Sequence, residues 1–353
     1  MTRKITFGQA IRESTDQLLS DNPSVYVIGL GVPDPKGIFG TTLGLREKYG
    51  EKRVMDMPIS ENGMTGIAIG SALMGMRPIM THQRIDFMLL ALDQIINNAA
   101  NWHYMFGGQM SVPLVIRLMI GQGWGQGPQH SQSLQALFAH IPGLKVVMPF
   151  TPHDAKGLLA ASVKDNNPVI FIEHRWLHNV FGEVPAEPYV VPIGEARIAK
   201  AGKDITIVSA SYMTLEALKA AEYLKTEDID VEVIDLRSLR PLDEATIIES
   251  VKKTGHLVVA DGAWRFLSIS AEIISTVVEK AFTALKQPPC RVAFPDIPTP
   301  TSWALSNQYY PKAINIVNQV GSLFSLPMKD EEELGISPAN PSDVPDKSFT
   351  GPF

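Results

Sequence analysis

The chain of 353 residues has a single cysteine, Cys290, so it can build neither an internal disulfide framework nor a thiolate-held metal cluster. That fits a reducing compartment. It also lacks an excess of positive charge: 31 basic against 37 acidic side chains leave a formal −6, which argues against nucleic acid as a partner. Long apolar runs are missing as well. The most apolar stretch, residues 66–76, is broken by glycines and falls far short of the ~20 residues a membrane helix needs. Residues 1–19 carry Glu13 and Asp16 where a secretory segment would have an apolar core. The expected location is the cytoplasm, or an organelle matrix for a processed protein.

Several fingerprints fail on inspection. The stretch GQGWGQG, residues 121–127, follows an apolar run, but Gln126 or Pro128 occupies the third glycine position of a dinucleotide motif. Gly29–Leu30–Gly31 fails in the same way, with Asp34 in that slot, and there is no phosphate loop ending in Gly-Lys-Ser/Thr. His174 and His178 stand four apart but lack the glutamate and third ligand of a zinc site. No G-x-S-x-G elbow for a serine hydrolase exists.

What is present is alternation. Short β-branched runs at 25–29, 77–82, 113–120, 144–149 and 168–173 are separated by helical patterns at 66–74, 87–104, 133–141 and 153–164. Such alternation predicts parallel sheets covered by helices, an α/β fold. The pattern dissolves near 184–187, and a second series runs from 205 to about 296. At ~100–200 residues per domain the length also calls for two. The reading is therefore two three-layer α/β domains with mostly parallel sheets, 1–190 and 200–326, followed by an acidic, proline-rich tail, 327–353.

Two segments suggest chemistry. In PISENGMTGIAIGSALMGMRP, residues 58–78, Glu61 stands just ahead of a helix so rich in Gly and Ala that close approach to its backbone is expected; a carboxylate that merely complements the helix dipole reads equally well. In GPQHSQSLQALFAHIPGLKVVMP, His130 ends a glycine-rich loop ahead of Ser131 and Ser133, candidate helix caps.

With FMLLALDQIINNAANWHYMFGG (87–108), PHDAKGLLAASVKDNNPVIFIEH (152–174) and VEVIDLRSLRPLD (231–243), these segments carry the motifs S-E-x-G, A-x-D-Q-I-x-N, Q-H-S-Q-S and I-D-L-R-x-x-x-P-L-D in order. From about residue 4 to about 320 the chain resembles the beta subunit of the thiamine-diphosphate-dependent decarboxylating component of 2-oxoacid dehydrogenase complexes. The resemblance implies a transketolase-like pyrimidine-binding domain followed by a transketolase C-terminal-like domain that supports assembly. It implies that Glu61 is the carboxyl hydrogen-bonded to the cofactor's aminopyrimidine, that Phe87 packs against that ring, and that His130 faces the substrate as an acid/base group. Without the resemblance Phe87 would read as a core aromatic and His130 as a loop histidine. The resemblance further implies a monovalent-cation (K+) site around Leu114, Ser162, Asp165 and Asn167, through main-chain carbonyls and one carboxylate, where composition alone shows a polar turn.

The sequence holds no Gly-Asp-Gly for the Mg2+ that anchors a diphosphate; Asp261–Gly262 follows Ala260. Half of the cofactor site is thus expected on an alpha-type subunit, in a two-plus-two heterotetramer. Three departures from the family pattern stand out. Leu30 replaces a common acidic residue, Thr81–His82–Gln83–Arg84 replaces a Glu-plus-apolar run, and Trp124 stands where smaller residues are usual. Gln83, Arg84 and Trp124 are accordingly expected to shape the substrate pocket, the alternative for the first two being a plain surface turn.

Three functional readings follow. The leading one is the beta subunit of a 2-oxoacid dehydrogenase, pyruvate by default, that passes the acyl unit to a lipoyl acyltransferase partner. The second is an acetoin-dehydrogenase-like or transketolase-like carboligase subunit. A non-catalytic assembly or regulatory paralogue is the third, and the joint presence of Glu61, Phe87 and His130 argues against it.

Overall fold

The computed structural model describes residues 2–123 and 125–334. The chain divides into two compact units, one made by residues up to 121 with Leu137–Ile193, the other by Gln122–Ala136 with the residues from 194 onward.

In the first unit β1 (Thr2–Thr6) leads into α1 (Phe7–Asp21) through a capping box: the Thr6 hydroxyl accepts from the Gln9 amide and the Gln9 side chain accepts from the Thr6 amide. There follow β2 (Val25–Ile28), α2 (Leu45–Tyr49), β3 (Val54–Met55), α3 (Glu61–Leu73), β4 (Arg77–His82), α4 (Ile85–Met88), α5 (Trp102–Met105), β5 (Val115–Ile120), α6 (Gln135–His140), β6 (Lys145–Val147), α7 (Pro152–Lys164), β7 (Val169–His174) and β8 (Phe181–Pro185). Six strands lie in the order β6-β7-β5-β4-β2-β3, each parallel to its neighbours, while β1 and β8 form a separate antiparallel ribbon. Parallel neighbours need crossovers, and the helices between them bury both sheet faces. One buried row, Val27–Ile79–Val115–Val169, crosses four strands in register.

The helix expected over 87–104 is not continuous. It breaks into α4, a 3-10 turn at Leu89–Ala91, a π-helical run at Gln94–Ala99, and α5. Asn101 explains part of this: its side chain donates to the Ile96 carbonyl, competing with the regular backbone ladder.

The second unit contains β9 (Arg197–Lys200), β10 (Ile205–Ser209), α8 (Tyr212–Thr226), β11 (Val231–Asp235), β12 (Ser238–Arg240), α9 (Glu244–Thr254), β13 (Leu257–Trp264), α10 (Ile269–Ala281), β14 (Cys290–Phe294), α11 (Trp303–Tyr309) and α12 (Ala313–Leu323). Its sheet runs β14-β13-β10-β11-β9, parallel except for the edge strand β9. Ile207, Val233 and Val258 pack there against Ala217 and Leu224 of α8 and Val317 of α12. Among the described residues no helix is long and apolar enough to cross a membrane. The tail beyond Leu334 lies outside the described residues.

Candidate functional site

Ligands of parallel α/β sheets bind beyond the carboxyl ends of the strands, and that edge of the first unit is rich in polar side chains. Glu61 is the first residue of α3, reached through a short turn after β3, and its side chain is buried, with 7% exposure. Asp56 fixes the turn by accepting from the Gly31 and Met57 amides at 3.0 and 2.9 Å. α3 is held to the sheet one turn farther on, where the Thr65 hydroxyl donates to Met80 Sδ at 3.4 Å. The glycines of this helix are only partly explained by the chain itself. A Cβ at Gly66 would meet the Gln94 side chain at ordinary contact distance, whereas one at Gly70 would meet no atom within 4 Å. The face beside Gly70 shows Ile67 and Met74 at 59% and 85% exposure.

Phe87 lies in α4, directly beyond the end of β4, and is half-buried. The preceding residues part ways. Gln83 packs over Gly31: a Cβ there would stand 2.8 Å from the Gln83 amide nitrogen and 2.9 Å from Asp34 Oδ2, and with φ +74° the position suits glycine on both counts. Arg84 is buried and donates to the Gly121 carbonyl beyond β5. Gln83 and Arg84 therefore reach the ends of different strands. Trp124 lies outside the described residues.

Three histidines sit in the same region. His82 ends β4 with 3% exposure; burial drives its pKa down to about 4, and its Nε2 has no hydrogen-bond partner. His174 ends β7 and is lowered to about 3, chiefly by burial and also by His178 and Arg84; its Nδ1 accepts from the Trp176 amide. Gly121, at φ +96°, is required here, because a Cβ would stand 2.7 Å from the His174 ring. His178 Nε2 lies 3.2 Å from Glu173, which also takes both forks of Arg117 at 2.6 and 3.0 Å. Arg117 and Glu173 are both fully buried. Although burial opposes ionisation, Arg117 and His178 hold the Glu173 carboxyl below its usual range. Among the described residues no group of three or more His, Cys, Asp or Glu side chains is placed to hold a metal ion.

The cation candidates occupy the opposite end of the strands. The Leu114 carbonyl accepts from the Val169 amide, and the Ser162 hydroxyl donates to Leu158. Asp165's carboxylate is taken by Lys145 and Asn167, while Arg77 donates to the carbonyls of Val163 and Asp165 at 2.7 and 2.9 Å. Arg77 thus serves two carbonyls and Lys145 the one carboxylate of this turn, so an ion here would have to compete with both.

His130 is half-buried and belongs to the second unit. Its loop is stapled at three places. Gln122 donates to the Pro300 carbonyl at 3.0 Å, Thr299 donates to the Ser131 carbonyl at 3.4 Å, and Gln135 reaches Asp261 and the Gly262 carbonyl at 3.3 Å. Burial raises the pKa of Asp261. Beside the loop lies an open cleft of about 410 Å³ lined by Pro128, Gln132, Trp264, Asp296, Ile297 and Pro298. Neither the cleft nor the staples were legible in the sequence, because their partners lie more than a hundred residues away.

Residues 3–179 match the family model of the transketolase pyrimidine binding domain, and residues 194–316 match that of the transketolase C-terminal domain. The chain belongs to this transketolase-like family. It is 46% identical to the beta subunit of acetoin:2,6-dichlorophenolindophenol oxidoreductase of Cupriavidus necator, over 90% of this chain and 96% of that one. To the pyruvate dehydrogenase E1 component subunit beta of Rhizobium meliloti it is 43% identical, over 90% of this chain and 69% of the other, and to the bovine mitochondrial protein 40%, over 89% of each. A solved structure described as a split gene transketolase, inactive beta4 tetramer, superposes with a TM-score of 0.74 at 23% identity and covers 91% of this chain and 99% of its own. At that identity the likeness is one of fold.

Proposed function

We propose that this chain is the beta subunit of a heteromeric thiamine-diphosphate-dependent 2-oxoacid dehydrogenase, with pyruvate as the default substrate and a lipoyl acyltransferase as acyl acceptor. The observation that carries the reading is Glu61: a carboxyl buried at the start of α3, beyond the carboxyl ends of a parallel sheet, in a chain of the transketolase-like family. The residues present fit one half of the cofactor. An aminopyrimidine is a flat ring edged with donors and acceptors, and the buried carboxyl of Glu61 and the half-buried ring of Phe87 suit its edge and its face.

When bound, thiamine diphosphate supplies a carbon acid that becomes the nucleophile and then an electron sink. Glu61 holds a proton at the pyrimidine edge, Phe87 keeps the ring dry and oriented, and His130 moves a proton to or from the substrate side. The diphosphate and its Mg2+ belong to an alpha-type subunit, since this chain has no Gly-Asp-Gly. The exposed Ile67–Gly70–Met74 face of α3 is a surface suited to another subunit in a two-plus-two assembly. A monovalent cation such as K+ would rest on main-chain carbonyls around Leu114, Ser162 and Asn167 and on the Asp165 carboxylate, displacing Arg77 or Lys145 there. The proposed location is the cytoplasm or an organelle matrix.

A second reading is an acetoin-type substrate, favoured by the 46% identity to the acetoin oxidoreductase subunit. Gln83, Arg84 and Trp124 remain the pocket residues of either reading. Reconstitution with the alpha-type partner, assayed on pyruvate, branched 2-oxoacids and acetoin, separates the two. Highest kcat/KM on a 2-oxoacid supports the dehydrogenase, preference for acetoin supports the second reading, and no turnover on any of them removes both.

A further inference from the structure

The buried, unpartnered nitrogen of His82 can be placed against Glu61 by counting along two elements. α3 connects parallel strands, so it runs antiparallel to β4. Thr65 and Met80 are joined by a hydrogen bond. Four residues back along α3 from Thr65, on the same helix face, is Glu61; two residues onward along β4 from Met80, on the same sheet face, is His82. Four helical residues rise about 6 Å and two strand residues about 6.6 Å, in the same direction, so the two side chains arrive at the same level of the helix–sheet interface. Both are buried.

An imidazole left without a partner in such a place is costly unless something uses it. We propose that His82 is a positioning residue for Glu61: with cofactor bound, its Nε2–H donates a hydrogen bond to the Glu61 carboxyl and fixes the orientation in which that carboxyl meets the pyrimidine ring. A neutral imidazole suits this task. A permanent cation at the position would pin Glu61 as a carboxylate and weaken its hold on a proton, whereas burial keeps His82 uncharged at neutral pH. This inference rests on the cofactor-facing role proposed for Glu61.

The test uses the complex reconstituted with the alpha-type partner. In His82→Leu the melting temperature is expected to hold or rise, because an unpartnered nitrogen has been removed from the interior. Proton exchange at the thiazolium carbon of bound thiamine diphosphate, read by quenched-flow NMR, is expected to slow about tenfold, the worth of one hydrogen bond, with kcat falling by the same factor at unchanged KM. His82→Gln, which restores a donor, recovers most of the loss. Unchanged exchange in His82→Leu overturns the proposal. If His82→Leu does not assemble, wild-type complex labelled with 15N-histidine decides: the Nε2 resonance of His82 moves on addition of thiamine diphosphate, and a resonance that stays in place overturns the proposal. Glu61→Ala separates the two levels of the argument. Wild-type exchange in Glu61→Ala would mean that this chain does not activate the cofactor at all, whereas exchange lost there but intact in His82→Leu removes only the role of His82.

Discussion

The two units share one plan, a parallel sheet between helices, yet they treat buried polar atoms differently. In the sheet of the second unit such groups close on each other: Thr206 joins Ser250 and Thr254, Glu232 takes Ser250 and Lys253, and Glu216 takes the Ala313 amide and Lys219. The carboxyl edge of the first sheet instead keeps Thr81 Oγ1 and His82 Nε2 without partners. Ser131 Oγ, on the loop that carries His130, and Gln135 Oε1, at the start of α6, are left the same way. Fully satisfied polar clusters build architecture, and unsatisfied ones mark where a ligand is expected.

That contrast can be broken most forcefully at Glu61. In the reconstituted complex Glu61→Ala is expected to lower kcat by roughly 10²–10⁴, the range for a lost acid/base group, while gel filtration shows intact assembly. Retained turnover would put Glu61 with the architectural carboxyls of the second unit. Next in size is Arg117→Met, which strands the fully buried Glu173 charge; equilibrium denaturation should show a loss of about 3–5 kcal/mol. A loss under 1 kcal/mol would show that the pair is not buried as described.

A third effect follows from acid. His82 and His174 have folded-state values lowered to about 4 and about 3 from an ordinary 6.5, so the unfolded chain binds protons that the folded one refuses. Their contribution is fully present above pH 6.5 and is lost as pH falls toward those folded values, with a slope of about 1.4 kcal/mol per pH unit for each. Urea titrations between pH 7 and pH 4.5 measure the slope, and His82→Leu should remove its share; a pH-independent stability would contradict the burial of both rings. Smallest is Ile67→Ser on the exposed face of α3. The isolated chain should melt within about 0.5 kcal/mol of wild type. Any defect should appear as weaker assembly by sedimentation, and unchanged assembly would free that face from a partner role.

Much of the fold was legible because parallel strands announce themselves as β-branched runs: 25–29, 77–82 and 168–173 coincide closely with β2, β4 and β7. The discontinuous stretch from Phe87 to Met105 was not, since its apolar spacing suits a helix while the Asn101 side chain takes the Ile96 carbonyl from the ladder. At the site, Glu61 was readable from its motif and its position before a glycine-rich helix. His82 was named only as part of a departure from a pattern. Its significance depends on which face of β4 it occupies and on α3 lying above it, and neither is written in local sequence. Arg84 was named from the same departure, but its hydrogen bond to the Gly121 carbonyl beyond β5 was not written in local sequence.

In the proposed function this chain holds the pyrimidine half of a cofactor whose diphosphate half is held elsewhere. Calorimetric titration of thiamine diphosphate with Mg2+ into the chain alone, and into the chain assembled with its alpha-type partner, tests it directly. The account predicts no measurable binding to the chain alone and saturable binding to the assembly, with one cofactor per chain; tight binding to the isolated chain, or none to the assembly, would contradict it.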